Sequence, residues 1–290
     1  GNQCPRAKST GAPHAGAPRA NLRSMAQAIP TKIDAAFAAT AAAGAVSHPG
    51  SLPFMKGGEP LFIDKGSKVG LLLLHGFTST PHQFRDLSKF LVGRGFTVYS
   101  PLIAGHGTSP KEMAMTTGED WAQSAEEALR YLRRYVQRVI VVGNSFGGNL
   151  AFWLAHRFPE LVSGIVSLGT PVWLRLHWLN QLRVHTYGRL MTYHRKVGRE
   201  YKIDYIDLSD QVSYPVIPIT SMREFFHFLR YKTMPLLGTV TAPTLMIQAD
   251  KDPVVHPRSV QYLHEHLASD YKKVYWLNGR YHNLADSDRR

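Results

Sequence analysis

Apolar and polar positions alternate in a regular way from about residue 58 to the end of the chain. Short, continuously apolar runs are followed by longer segments in which apolar residues recur every three or four positions. The apolar runs predict strands at 61–64, 69–74, 96–102, 138–143, 162–169, 242–249 and 272–277, and the segments with helical spacing predict helices at 81–95, 118–136, 149–158, 221–234 and 259–268. Strands that are apolar throughout are typical of a parallel sheet with helices on both faces. The pattern therefore predicts an α/β fold with a mostly parallel central sheet.

The alternation is interrupted between Thr170 and Ala242. This stretch mixes aromatic with basic residues, and it is too long for a plain connection between neighbouring elements. We predict a small inserted cap at about 172–220 over one end of the sheet, with a few extra core helices as the alternative. An aromatic cap would line an apolar pocket, so Trp173 and Trp178 are candidate substrate-binding residues.

The first 57 residues differ in composition from the remainder. They are rich in Ala, Gly, Pro and Ser, and the part before Met25 has no periodic apolar pattern. We predict an N-terminal extension at 1–57, partly flexible or an artefact of expression, followed by one domain at 58–290. The apolar stretch at 32–46 lies too far from the N-terminus to resemble a secretory signal. A cytoplasmic location is expected, and secretion remains an alternative.

Composition narrows the classes of function. The chain of 290 residues can bury a sizeable core, and no run of eighteen apolar residues suggests a membrane-spanning helix. The net charge of +13 comes from scattered lysines and arginines without a basic helix, so no nucleic-acid partner is indicated. Weak contact with an anionic lipid surface is the remaining interpretation of that charge. The one cysteine, Cys4, can form neither an internal disulfide nor a cysteine metal site, and no metal or cofactor is predicted. The oligomeric state is left open.

The segment 143–147, Gly-Asn-Ser-Phe-Gly, matches the pattern G-x-S-x-G between a predicted strand and a predicted helix. In this context the serine occupies a strained turn, and the residues two positions away must be small for strand and helix to close on it. Ser145 is therefore the candidate nucleophile. The alternative is a small residue in an ordinary tight bend.

A serine hydroxyl needs a base to accept its proton and an acid to orient that base. The loop after the predicted strand 242–249 contains Asp250 and Asp252, and the loop after strand 272–277 contains His282. Asp252 lies further along its loop and is the favoured acid, whereas Asp250 is expected to cap the turn or pair with a lysine. The order serine, acid, histidine is that of α/β hydrolases.

An oxyanion hole requires backbone N–H groups that point at the developing negative charge. The amide of Phe146 begins the helix after the candidate nucleophile, where the helix dipole also favours negative charge. The loop after strand 69–74 reads His-Gly-Phe, and the amide of Phe77 is the second candidate donor. The alternative for this loop is a plain strand-to-helix connection.

Together, the segments 71–107, 142–152 and 248–255 and the final His282 resemble the bacterial carboxylesterase and monoacylglycerol lipase family of α/β hydrolases. The resemblance covers roughly residues 58–290. It implies an α/β-hydrolase fold with a small cap, a short-to-medium acyl ester or glyceride substrate and no cofactor. It also implies the triad Ser145, Asp252 and His282.

The chain departs from this family in two places. Arg280-Tyr281 precedes the histidine where similar enzymes have Ser-Gly, and eight residues follow His282 where family members continue into a closing helix. The leading hypothesis is a serine carboxylester hydrolase that acts through an acyl-enzyme. An acyltransferase, thioesterase or feruloyl-type esterase with the same triad is one alternative, and a non-catalytic binding protein on a hydrolase fold is another.

Overall fold

The computed structural model describes residues 54–175, 192–196 and 212–285. Most of the predicted cap, including Trp178, and the extension up to residue 53 lie outside these ranges. The described strands are β1 (Leu61–Ile63), β2 (Val69–Leu74), β3 (Thr97–Ser100), β4 (Arg138–Asn144), β5 (Val162–Leu168), β6 (Tyr193–Arg195), β7 (Val216–Pro218), β8 (Thr244–Ala249) and β9 (Lys272–Leu277).

The described helices are α1 (Arg85–Gly93), α2 (Pro110–Met113), α3 (Gly118–Leu132), α4 (Phe146–Arg157), α5 (Ile219–His227), α6 (Met234–Leu236) and α7 (Arg258–His266). A π-helical segment, Phe228–Thr233, joins α5 to α6, and short 3-10 turns lie at Pro81–Phe84 and Leu237–Thr239. None of these helices has the length and apolar character needed to cross a bilayer.

Seven of the described strands form one sheet in the order β1-β3-β2-β4-β5-β8-β9. Only the edge strand β1 runs antiparallel to its neighbour within this sheet, which confirms the predicted mostly parallel α/β fold. Although β1 and β2 are consecutive in the chain, β3 lies between them. The carboxyl ends of the central strands lie side by side, since Leu74 pairs with Gly143 and Asn144 with Leu168. The loops that follow these strands therefore converge at one edge of the sheet.

The four leucines of β2 show why this sequence forms a buried central strand. Leu71 and Leu73 face the layer of α1, and Leu72 and Leu74 face the layer of α3 and α4. All four are buried, and full burial of each such side chain stabilises the fold by about 1.5–3 kcal/mol. Because side chains alternate along a strand, a run that is apolar at every position requires cover on both faces.

Helix α3 begins where its sequence predicts. Thr117 accepts a hydrogen bond from the Asp120 amide through its hydroxyl, and the Asp120 carboxylate accepts one from the Thr117 amide. This reciprocal cap satisfies two amides that have no partner inside the helix. The helix ends at Leu132, four residues before the predicted end.

Helix α4 begins at Phe146, so the predicted start at residue 149 was wrong. The three residues before 149 include two glycines, which have low helix propensity. Close packing of strand and helix overrides that propensity here. The helix consequently starts directly after Ser145.

Candidate active site

Ser145 lies on the turn between β4 and α4. Its backbone has φ 52° and ψ −120°, a left-handed conformation that is unfavourable for a residue with a side chain. The Ser145 amide donates a hydrogen bond to the Leu168 carbonyl of the neighbouring strand at 2.7 Å. Only 9% of the residue is exposed. The hydrogen bond to β5 thus fixes the turn, and the Ser145 hydroxyl lies at the edge of the sheet where the loops converge.

The glycines around Ser145 are required by close backbone approach. A Cβ atom on Gly143 would lie 2.2 Å from the Gly147 carbonyl oxygen, and one on Gly147 would lie 1.9 Å from the Leu74 carbonyl oxygen. Real Cβ contacts are essentially never shorter than 3.0 Å. The spacing of the motif therefore follows from the packing of α4 against β4 and β2.

The structure brings the three residues of the predicted triad together. His282 Nε2 lies 3.1 Å from Ser145 Oγ, and His282 Nδ1 lies 3.0 Å from Asp252 Oδ2. Asp252 follows β8 and His282 follows β9, so the two loops are neighbours because the two strands pair. The acid therefore holds Nδ1 of the imidazole, and Nε2 is directed at the serine hydroxyl.

The Asp252 side chain is fully buried and fully hydrogen-bonded. Its Oδ1 accepts hydrogen bonds from the amides of Val254 at 2.8 Å and Val255 at 2.9 Å, and its Oδ2 accepts one from Gln248 Nε2 at 3.1 Å. Burial by itself would raise the pKa of this carboxyl, but the charge and hydrogen bond of His282 and the two amides outweigh it and hold the pKa below its usual value. Asp252 is therefore ionised across the ordinary pH range.

Asp250, the other carboxylate of the same loop, has a different environment. It is exposed, and its Oδ1 accepts a hydrogen bond from the Gly279 amide at 2.8 Å. The Asp250 amide donates to the Leu277 carbonyl at 3.0 Å. Asp250 thus joins the acid loop to the histidine loop, a contact other than the turn cap or the lysine pair expected for it.

The loop with the candidate donor Phe77 lies directly against the serine. A Cβ on Gly76 would be 3.3 Å from Ser145 Cβ. The Gly76 carbonyl is 3.0 Å from His75 Nδ1 and accepts a hydrogen bond from the Ser79 amide at 3.1 Å. Because a trans peptide group directs its C=O and N–H to opposite sides, these contacts fix the direction of the Phe77 N–H. Within the described residues, the Phe77 amide has no hydrogen-bond partner.

The second candidate donor, the Phe146 amide, belongs to the first residue of α4. The first N–H groups of a helix have no acceptor inside the helix, and the helix dipole adds partial positive charge there. Phe146 follows Ser145 directly in the chain, and Gly76, the residue before Phe77, lies against the Ser145 side chain. Both proposed donors therefore flank the serine.

His75 is a buried residue that connects the Phe77 loop to the loop after β3. Only 1% of it is exposed, and its Nε2 accepts a hydrogen bond from the Ile103 amide at 3.2 Å. The proton of the neutral ring is therefore on Nδ1 and is donated to Gly76. Burial lowers the pKa of His75 to about 4, against a smaller opposing effect of the Gly76 hydrogen bond. His75 is neutral at ordinary pH.

A second buried histidine, His106, lies beside His75, with ring centroids 5.1 Å apart. Its Nδ1 is 3.0 Å from the Ala104 carbonyl oxygen, and its ring centroid lies 6.0 Å from that of Phe77. Burial, and then the nearby His75, lower the pKa of His106 to about 3. The loop that would form the oxyanion hole is therefore backed by two neutral imidazoles.

Trp173, a predicted substrate-binding residue, packs against α7. Its ring meets Tyr262 edge-on with centroids 5.0 Å apart. Its amide donates to Ser259 Oγ at 2.9 Å, and its carbonyl accepts from the Ser259 hydroxyl and the His256 amide, both at 2.9 Å. These contacts give Trp173 a packing role at the beginning of the predicted insertion. Trp178 lies outside the described residues.

Sequence reasoning missed the residues that support the site from behind. Gln248 donates to Asp252, and Gln83 Oε1 accepts a hydrogen bond from the Gly76 amide at 2.9 Å. A weak signal existed for Gln248, because a polar side chain at the carboxyl end of a buried strand needs a partner. In the described ranges, no three His, Cys, Asp or Glu side chains come together as metal ligands.

Comparisons of the sequence and the structure with known proteins find hydrolases, in agreement with the geometry of the triad. Residues 67–289 match the family Hydrolase_4, described as serine aminopeptidase, S33. The thermostable monoacylglycerol lipase of Bacillus sp. (strain H-257) is 31% identical over 230 residues, which cover 79% of this chain and 88% of that protein. The carboxylesterase of Bacillus subtilis (strain 168) is 25% identical over 79% of this chain and 90% of its own length. Among solved structures, one described with the metagenome-derived lipolytic enzymes LipS and LipT is 29% identical. It superposes with a TM-score of 0.73 over 82% of this chain and 94% of the other.

Proposed function

The chain belongs to the Hydrolase_4 family of α/β hydrolases, and from this premise we propose that it cleaves short-to-medium acyl esters or monoacylglycerols through an acyl-enzyme. One observation carries the proposal: the continuous hydrogen-bonded series Ser145–His282–Asp252, with separations of 3.1 and 3.0 Å. This is the arrangement in which a histidine can remove a serine proton while a carboxylate orients it.

In the first step, Ser145 Oγ attacks the ester carbonyl carbon. His282 Nε2 accepts the hydroxyl proton, and the ionised Asp252 stabilises the imidazolium that results. The carbonyl oxygen becomes negative and is held by the amides of Phe77 and Phe146. The bond to the alcohol oxygen then breaks, His282 returns the proton to the departing alcohol, and the acyl group remains on Ser145.

The second step repeats the first with water. His282 removes a proton from a water molecule, which attacks the acyl carbon while the same two amides hold the oxygen. Collapse of this intermediate releases the carboxylic acid and returns the proton to Ser145 Oγ. The residues named here balance every proton of the reaction.

The surroundings of the Phe77 loop suit an apolar acyl group. The Phe77 ring is only partly buried and packs against Phe225 and Trp121, with centroids 4.8 and 5.5 Å apart. The partly exposed Phe77 ring, supported by these two buried rings, offers apolar surface to a chain attached to the reacting carbonyl. The relatives named as a monoacylglycerol lipase and a carboxylesterase support the same substrate class.

The family description also names an aminopeptidase, which would need a carboxylate to hold the free amine of its substrate. Among the described residues, the one buried carboxylate is Asp252, and it is already hydrogen-bonded to His282, Gln248 and two amides. The relatives named as a monoacylglycerol lipase and a carboxylesterase favour an ester substrate over a peptide with a free N-terminus.

Hydrolysis assays on the wild type and on Ser145→Ala test the proposal. p-Nitrophenyl esters from C2 to C12 and 1-monoacylglycerols are compared with aminoacyl p-nitroanilides and with a thioester. We expect ester and glyceride hydrolysis by the wild type, a loss of about 10⁴-fold or more in Ser145→Ala, and little amidase activity. Near-full activity of Ser145→Ala would overturn the mechanism, and a preference for anilides would overturn the substrate class.

Ser88→Ala is the matched control. Ser88 is fully buried on α1, and its hydroxyl has no hydrogen-bond partner among the described residues. Removal of this hydroxyl should leave both the stability and the activity close to those of the wild type. The same chemical change at Ser145 should remove activity alone.

A further inference from the structure

Tyr214 is the most completely buried large polar side chain at the returning end of the insertion. Only 1% of it is exposed. Its hydroxyl donates a hydrogen bond to the Gly105 carbonyl at 2.9 Å and accepts one from the Thr108 amide at 2.8 Å. The phenol therefore anchors residue 214 to the loop after β3, which also contains His106.

The backbone of Tyr214 contacts the Phe77 loop. Its amide donates a hydrogen bond to the Thr78 carbonyl at 3.0 Å. Thr78 has φ 62°, and apart from Ser145 it is the described non-glycine residue with a positive φ. A β-branched residue rarely adopts this conformation, so the surrounding contacts must hold it.

The Thr78 carbonyl is one end of a series of hydrogen-bonded peptide groups. The peptide group of Thr78 and Ser79 accepts from Tyr214 and donates, through the Ser79 amide, to the Gly76 carbonyl at 3.1 Å. The Gly76 carbonyl belongs to the same peptide group as the Phe77 N–H. Two peptide groups in sequence therefore connect the Tyr214 amide to the proposed oxyanion donor.

Hydrogen bonds in such a series polarise one another, and each one also fixes the orientation of the next peptide plane. A donor at the Thr78 carbonyl therefore strengthens and directs the Phe77 N–H at the far end. Oxyanion stabilisation depends on donors that are already oriented before charge develops. The effect of Tyr214 should therefore appear in the transition state rather than in substrate binding.

We propose that Tyr214 is a positioning residue for the oxyanion hole, acting through the peptide groups of Thr78–Ser79 and Gly76–Phe77. The inference rests on the proposed ester hydrolysis, and it extends that function to a residue of the inserted segment that touches no reacting atom. The buried phenol holds the amide in place, and the amide holds Thr78 in its left-handed conformation.

Tyr214→Phe tests the anchor, because it removes the hydroxyl and keeps the ring. Each variant is assayed on an ester and on the matching thionoester, in which sulfur replaces the carbonyl oxygen. Sulfur is a weaker hydrogen-bond acceptor than oxygen, so the oxyanion donors stabilise the transition state of the thionoester only a little. We expect kcat for the ester to fall about 10-fold with KM within about 2-fold, and kcat for the thionoester to fall less than about 2-fold.

Thr244→Val is the matched control, because it also removes one buried hydroxyl that donates to a backbone carbonyl, that of Ala242 at 2.9 Å. Thr244 lies at the opposite end of β8 from Asp252. The ratio of ester to thionoester turnover should remain that of the wild type in this variant. A general loss of stability would lower the turnover of both substrates alike and leave their ratio unchanged.

Replacement of Tyr214 by the α-hydroxy acid of tyrosine keeps the phenol and exchanges the backbone N–H for an ester oxygen. This second variant removes the hydrogen bond to Thr78 itself. It should lower the ratio of ester to thionoester turnover at least as far as Tyr214→Phe does. It therefore also tests the inference if Tyr214→Phe folds poorly. An unchanged ratio in the α-hydroxy acid variant would overturn the inference while the wild type remained an esterase. A wild type without esterase activity would instead overturn the proposed function.

Discussion

The titration of His75 provides a test of the buried contacts behind the loop of the proposed oxyanion donor Phe77. Its pKa is about 4 in the folded protein because burial disfavours the charged ring, whereas a histidine in the unfolded chain has its ordinary value of 6.5. Between these values the unfolded state binds a proton that the folded state does not. The free energy of unfolding therefore falls as the pH is lowered from 6.5 towards 4 and is unaffected by this group above 6.5.

The magnitude follows from the two pKa values. Integration between about pH 7.5 and 4.5 gives a loss of about 2.5 kcal/mol from His75 alone. The neighbouring His106, with a pKa of about 3, adds a loss of similar size over the same range. The two together are a large share of the 5–15 kcal/mol that stabilises a typical protein.

Urea unfolding followed by tryptophan fluorescence measures this loss in the wild type and in His75→Gln. The glutamine can accept the hydrogen bond from Ile103 but does not titrate. We expect the variant to be less stable at about pH 7.5 and to lose about 2.5 kcal/mol less than the wild type on acidification to about pH 4.5. An identical pH dependence in both proteins would refute the assignment of a neutral, buried His75.

Three further substitutions have expected outcomes. Asp252→Asn should lower kcat by about 10⁴-fold at neutral pH, because the amide favours the wrong tautomer of His282; a fall below 10-fold in a p-nitrophenyl butyrate assay would contradict this. Gly147→Ala should destabilise the fold by more than about 4 kcal/mol in urea unfolding, since its Cβ would lie 1.9 Å from the Leu74 oxygen, whereas Gly93→Ala, with nothing within 4 Å, should not destabilise it. Ser145→Gly should raise the melting temperature while it removes activity, because glycine adopts φ 52° without strain; a lower melting temperature would contradict the strain.

The strands and the site positions were predictable because the physics that sets them is local in sequence. Ser145 and Asp252 each follow a largely apolar strand inside the sheet, and His282 follows the edge strand β9, which pairs with the strand before Asp252. Parallel strands bring their carboxyl ends to one edge of the sheet, so order along the chain becomes proximity in space.

Other features depend on contacts between distant residues. The position of β3 between β1 and β2, the β6–β7 pair and the π-helical segment after α5 had no signal in the hydrophobic pattern. The start of α4 at Phe146 contradicts the propensities of its first turn. Trp173 is aromatic and lies in the predicted insertion, but it packs against Tyr262, which is 89 residues away in the sequence.

The supporting residues of the site could not be inferred for the same reason. His75 is one of fourteen histidines, and Tyr214 is one of thirteen tyrosines. What distinguishes them is complete burial together with hydrogen bonds to backbone groups in other loops. Neither property has a period or a motif in the sequence.

Both described ends of the predicted insertion are attached to loops of the proposed active site. At the N-terminal end, the Arg175 amide donates to the Val254 carbonyl at 2.7 Å in the acid loop, and Leu174 forms an isolated antiparallel β-bridge with Val255. At the C-terminal end, Tyr214 donates to Thr78. These attachments define splice sites for chimeras with related hydrolases. An exchange of residues 176–211 would transplant the segment between the two attachments and leave both intact, whereas a cut outside 173–214 would also replace residues that contact the acid loop and the loop of the proposed oxyanion donor.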